Sequence, residues 1–114
     1  MAFEVKERRR AGPVVVLEIT GRLTMGSGSE KLEEMLRDLI ASGERALLLD
    51  CAGVSVIDSQ GIKSLVQGVT SMEKRGGKLK LLKISPRVRE VLDLTRLLTV
   101  IETFDDEDSA VRSF

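Results

Sequence analysis

The stretch Val56-Ile57-Asp58-Ser59-Gln60-Gly61-Ile62 decides how the chain reads, because it joins a strand-like apolar run to a segment of helical spacing. On its N-terminal side, Arg45-Ala46-Leu47-Leu48-Leu49-Asp50 has the pattern of a buried strand. The small residues Cys51-Ala52-Gly53 follow, and Val54-Ser55-Val56-Ile57 then gives the expected loop its own apolar anchors. On its C-terminal side, Ile62, Leu65, Val66, Val69 and Met72 mark one face of a helix that Lys74-Arg75 and Gly76-Gly77 bring to an end. Asp58 and Ser59 are both favoured helix N-caps, so either one fits the start. Gly61 lets the loop pack closely on the first turn.

Working outward, Phe3 to Glu7 alternates as an edge strand, with Arg8-Arg9-Arg10 and Gly12-Pro13 as the turn that follows. Val14 to Thr20 is a β-branched central strand ending at Gly21. Thr24 to Ser29 is small and polar, with Ser27 or Ser29 as cap for a helix whose inner face is Leu32, Met35, Leu36, Leu39 and Ile40. Ser42-Gly43 closes that helix, and Lys78 to Leu82 is a further core strand. Ser85-Pro86 opens another helix, with Val88, Val91, Leu92 and Thr95 facing inward, and Leu97 to Ile101 reads as a last short strand. Asp105 or Asp106 caps a C-terminal helix. Strands that alternate with helices in this way predict an α/β fold in one unit, residues 1–114. The expected sheet is mixed and mostly parallel, of about five strands with about four helices, and its crossovers are right-handed. Functional loops of such sheets gather at the carboxyl ends of the strands, and Ser59 follows one of these ends.

Composition narrows the function classes. With 114 residues, 42% of them hydrophobic, the chain suffices for one core, and 18 basic against 18 acidic residues leave no global field to attract nucleic acid or an anionic membrane. Histidine is absent, which removes the commonest general base and imidazole metal ligand, so the expectation is no enzyme, no metal and no cofactor. Cys51 has no partner for a disulfide and no histidine to activate it. Met1 to Arg10 lacks the apolar run of a signal peptide, and no segment has the length of a membrane span, so a soluble, cytoplasmic, unprocessed protein is expected. Gly26-Ser27-Gly28-Ser29 lacks the lysine of a P-loop and the third glycine of a dinucleotide fingerprint, and is read as a flexible loop. The arginine trio is read as a solvated turn.

The chemistry left to explain is the hydroxyl of Ser59. It lies beside unpaired backbone N–H groups at the positive end of a helix dipole, where a phosphate is well tolerated. A phosphoserine carries about −1.5 to −2 charges and would stand next to the carboxylate of Asp58, altering the surface while sparing the fold. Ile57, Ile62 and Met25, if exposed, would form an apolar docking rim around the hydroxyl. The competing explanation is helix capping alone.

Gly21-Arg22-Leu23, Leu47-Leu48-Leu49-Asp50, Ile57-Asp58-Ser59-Gln60-Gly61-Ile62, Gly76-Gly77-Lys78-Leu79 and Ser85-Pro86-Arg87-Val88 together resemble the STAS domain of bacterial anti-sigma-factor antagonists, in register from Val5 to Ala110. The resemblance implies that Ser59 is phosphorylated by a partner serine kinase that doubles as an anti-sigma factor. The unmodified protein would bind that partner and free sigma to act in transcription, and a serine phosphatase would reset it. Asp58 would orient the hydroxyl, and Thr24, Met25, Ile57, Gln60, Gly61 and Ile62 would share the partner surface. This chain departs from the family in two places. Gln60 stands where a second serine is common, leaving Ser59 as the sole hydroxyl of the pair, and Thr24 replaces the usual aspartate after Gly21-Arg22-Leu23, which points to a different partner network. STAS domains also serve as scaffold or accessory subunits, as in a lipid-transport ATPase, and there the same loop docks without a phospho-switch.

Overall fold

A computed structural model describes residues 2–114. The elements run β1 (Glu4–Ala11), β2 (Val14–Leu23), α1 (Ser29–Ala41), β3 (Ala46–Ile57), α2 (Ser59–Lys74), β4 (Lys78–Leu82), α3 (Pro86–Leu94), β5 (Thr103–Phe104) and α4 (Glu107–Arg112). One five-stranded sheet has the order β1-β2-β3-β4-β5. Its β1–β2 hairpin is antiparallel and its other pairs are parallel, so the mixed, mostly parallel α/β architecture stands.

Successive strand residues point to opposite faces, and the two faces are covered differently. Val15, Leu17, Ile19, Leu47, Leu49, Leu79 and Leu81 form the larger core with the inner sides of α1, α2 and α3. Val14, Val16, Ala46, Leu48 and Leu82 form the smaller core, covered by Ala110 and Val111 of α4 with Phe104 and Phe114. Lys80 is the exception among these inward positions, only 4% exposed. Its ammonium donates to the backbone carbonyl and hydroxyl oxygens of Ser113 at 2.9 Å each and lies 3.1 Å from the Glu102 carboxylate and 4.6 Å from the Phe114 ring centre. A buried cation persists only with such partners, so Lys80 ties the end of α4 to the sheet. Cys51 is buried, and desolvation, aided by the nearby Asp50 charge, pushes its thiol up to about 12, which makes it inert.

Five local expectations are corrected. The arginine trio lies within β1, not in a turn; Arg9 pairs with Glu107 and Arg10 with Glu44, while Gly12, at φ 62°, makes the turn with Pro13. The segment Cys51–Ile57 continues β3 rather than looping: β3 carries one extra residue opposite Glu18–Thr20 and another opposite Gly21–Arg22, and so stays paired with β2 as far as Leu23–Ile57. Neither Ser27 nor Ser29 caps α1; Gly28 does so without a side chain, and a Cβ there would meet the Phe3 ring at 2.5 Å. Leu97–Ile101 is not a strand. Leu97–Thr99 forms a 3₁₀ turn after Arg96 reverses the chain at φ 60°, and the edge strand is Thr103–Phe104, paired with Leu81 and Leu82. An apolar run of five residues carries no period that separates strand from packed turn. Thr95, expected to face inward, is exposed and hydrogen-bonds the carbonyls of Val91 and Leu92 at the end of α3.

Candidate functional site

The carboxyl ends of β2 and β3 meet where Leu23 pairs with Ile57, so the two loops leaving these strands share one edge of the sheet. Asp58 joins them. It is the N-cap of α2, and one carboxylate oxygen accepts the Gly61 N–H at 2.9 Å while the other accepts the Met25 N–H at 3.0 Å from the β2–α1 loop. These bonds hold the Asp58 carboxyl below the usual aspartate range, the Gly61 N–H contributing most. The β2–α1 loop is also closed on itself, since the Thr24 carbonyl accepts the N–H groups of Ser27, Gly28 and Ser29. Glu30 accepts the Gly26 N–H at 3.3 Å and is likewise held below its usual range, with its own backbone N–H the first cause and that of Gly26 the second.

The ambiguity between Asp58 and Ser59 is thereby resolved: Asp58 caps, and Ser59 is the first residue of the helix. Ser59 is exposed, and among the described residues its hydroxyl makes no hydrogen bond. Capping therefore explains Asp58 and leaves the Ser59 hydroxyl unexplained. The apolar rim is smaller than expected, because Met25 is 64% exposed and Ile62 half-buried, whereas Ile57 is 6% exposed and supports the helix start from below. Gln60 is half-buried and Thr24 half-buried in the adjoining loop, so both lie at the edge of the exposed surface. Gly61 is buried; a Cβ on it would fall 2.1 Å from the Leu23 carbonyl oxygen and 2.8 Å from the Ile57 side chain.

Two residues that position the site escaped the sequence reading. Ser64 is buried on α2, and its hydroxyl lies 3.2 Å from the Ser29 carbonyl, 3.1 Å from the Glu33 carboxylate and 3.0 Å from the Gln60 carbonyl, fastening α2 to α1. Gly68, one turn on, lets Leu36 approach, since a Cβ there would be 2.8 Å from its Cδ1. Gly61, Ser64 and Gly68 recur at helical spacing, a stripe of small residues that the sequence displays but that hydrophobic periodicity passes over. Val66, read as inward, is half-buried beside this seam.

The family model of the STAS domain matches residues 2–110. The chain belongs to the STAS domain family. Among relatives of this STAS chain, BtrV of Bordetella bronchiseptica, assigned as an anti-sigma factor antagonist, is 26% identical over 88 residues, which span 77% of this chain and 76% of BtrV. A sulfate transporter family protein from Wolinella succinogenes is 28% identical with a TM-score of 0.77, over 90% of this chain and 85% of that one. The Bacillus cell fate determinant SpoIIAA in its phosphorylated form has a TM-score of 0.72 at 21% identity, over 99% of this chain and 100% of that one, and shares the fold. No helix among the described residues of this STAS chain is long and apolar enough to cross a membrane.

Proposed function

We propose that this chain, acting as a single STAS unit, is an anti-sigma-factor antagonist whose binding to a serine kinase/anti-sigma factor is controlled by phosphorylation of Ser59. The observation that carries the proposal is the division of labour at the start of α2. Asp58 caps the helix and clasps the Met25 loop, so the exposed Ser59 hydroxyl is free for a reaction with a partner's nucleotide. The similarity to BtrV and the existence of SpoIIAA in a phosphorylated form support the same reading. Asp58 orients the loop and the hydroxyl, and Thr24, Met25, Gln60, Gly61 and Ile62 make the docking surface with Ile57 beneath them. A phosphate on Ser59 stands beside the Asp58 carboxylate with no new cation to neutralise it from its own residue pair, so it presents the partner with concentrated negative charge. The chain itself supplies no catalytic group. It is a binding module of transcriptional regulation in the cytoplasm, reset by a serine phosphatase.

A second reading, constitutive docking as an accessory subunit, is favoured by the similarity to the Wolinella transporter-family protein. The two readings differ in what ATP does. With the purified protein immobilised and its serine kinase partner bound, adding Mg-ATP should release the kinase from wild type and leave it on Ser59→Ala. Retention on wild type after the nucleotide is consumed contradicts the switch and matches constitutive docking.

A further inference from the structure

Between Ser59 and Met72, Lys63 is the only charged residue of α2, and no acid stands in the first turn of that helix. Helix starts favour acids, and a lysine on a helix gains support from an acid four residues before it. The residue four before Lys63 is Ser59. Both are exposed, and residues at that spacing lie on one face of a helix with their Cβ atoms about 5–6 Å apart.

Nothing else among the described residues claims the Lys63 ammonium. Its other helix neighbours at three and four residues, Gln60, Val66 and Gln67, are uncharged, and it forms no ion pair. The carboxylates around the start of α2 are engaged elsewhere. Asp58 accepts the Gly61 and Met25 N–H groups, Glu30 accepts the Gly26 N–H and the Ser29 hydroxyl, and Glu33 of α1 accepts the Ser64 hydroxyl. Asp58 and Glu30 already act on each other as like charges, and a phosphate on Ser59 would add to that negative field.

We propose, taking Ser59 as the modified residue, that Lys63 is the positioning residue for its phosphate. The ammonium reaches back one turn, pairs with the phosphoryl oxygens and draws the dianion along α2, away from the Asp58 carboxylate. An acid N-terminal to its lysine is the favoured orientation of such a pair. Phosphorylation thus completes an ion pair that the serine leaves unmade, and Lys63 stabilises the modified state alone.

Phosphoserine placed at position 59 during translation tests this without any kinase. In phosphorus NMR titrations at low salt, its second ionisation, ordinarily at about 6, should lie roughly 0.5 lower in wild type than in Lys63→Gln, because a cation at that distance favours the dianion. Lys63→Arg should keep the lower value, and Lys74→Gln, at the far end of the helix, should match wild type. Salt at about 1 M should erase most of the difference. The unphosphorylated Lys63→Gln protein should melt with wild type, which separates the pairing from any effect on the fold. Equal ionisation in wild type and Lys63→Gln, or an equal change in Lys74→Gln, overturns the role of Lys63. A kinase that leaves Ser59 unmodified overturns the switch itself, and it is a separate result because the titration needs no kinase.

Discussion

Ser59→Asp is expected to weaken binding to the proposed serine kinase partner about 100-fold, which corresponds to about 2.7 kcal/mol. The melting temperature should stay within about 2 °C of wild type, because exposed positions away from caps and cores seldom move stability by more than about 0.5 kcal/mol. Both halves follow from one arrangement. Ser59 is exposed at the first position of α2, so its replacement disturbs no packing, and Asp58 performs the capping. An acid at a helix start is welcomed by the dipole and opposed by the neighbouring carboxylate, so the two effects largely offset in the isolated protein. In the complex there is no such offset, since the added charge must be desolvated against a surface shaped for a hydroxyl and for the exposed Met25. Isothermal titration of both forms with the partner, alongside thermal melts, checks the pair of effects. A large drop in melting temperature would make Ser59 a structural residue.

Gly61→Ala is expected to cost about 3 kcal/mol or more, the upper part of the range for overpacking a tight interior, and to lower the melting temperature by roughly 10 °C. The added Cβ would sit 2.1 Å from the Leu23 carbonyl oxygen, and backbone cannot swing aside as a side chain can. Relief requires α2 to move off the end of β2, which pulls on the Asp58–Met25 clasp as well. Gly68→Ala is the matched control within the same helix. Its new Cβ would meet the flexible end of Leu36 at 2.8 Å, while replacing a mid-helix glycine gains about 1 kcal/mol in propensity. Near-neutral Gly68→Ala beside a severely destabilised Gly61→Ala, measured by urea unfolding, is the expected pattern. Equal costs would show that the close approach of Gly61 to Leu23 does not govern the site.

The architecture was legible because the large helices and core strands carry strong periodicity: Leu47–Leu49 reads as buried strand, and Leu65, Val69 and Met72 as the inner face of a helix. Its misreadings occur where long-range pairing overrides local composition. Cys51–Gly53 looks like the start of a loop, but it stays in the sheet as a bulged stretch of β3 paired with β2, a strand about thirty residues earlier. Arg8–Arg10 looks like a solvated turn until Glu44, from the loop after α1, and Glu107, from α4, supply partners for Arg10 and Arg9. At the candidate site, the helix start, the serine and the tight glycine were visible in the order of residue types. The bond from the Met25 N–H to Asp58 was not, because it joins two loops 33 residues apart and leaves no local signature.

The proposed switch requires the Ser59 hydroxyl to be the group that the partner modifies. Incubating the protein with the serine kinase and Mg-ATP, then mapping the phosphate by tandem mass spectrometry, tests it most directly. One phosphate per chain is expected, on Ser59, with none on Ser55, Ser64 or Thr24 and none at all on Ser59→Ala. A phosphate placed on another residue, with Ser59→Ala modified as fully as wild type, would contradict it.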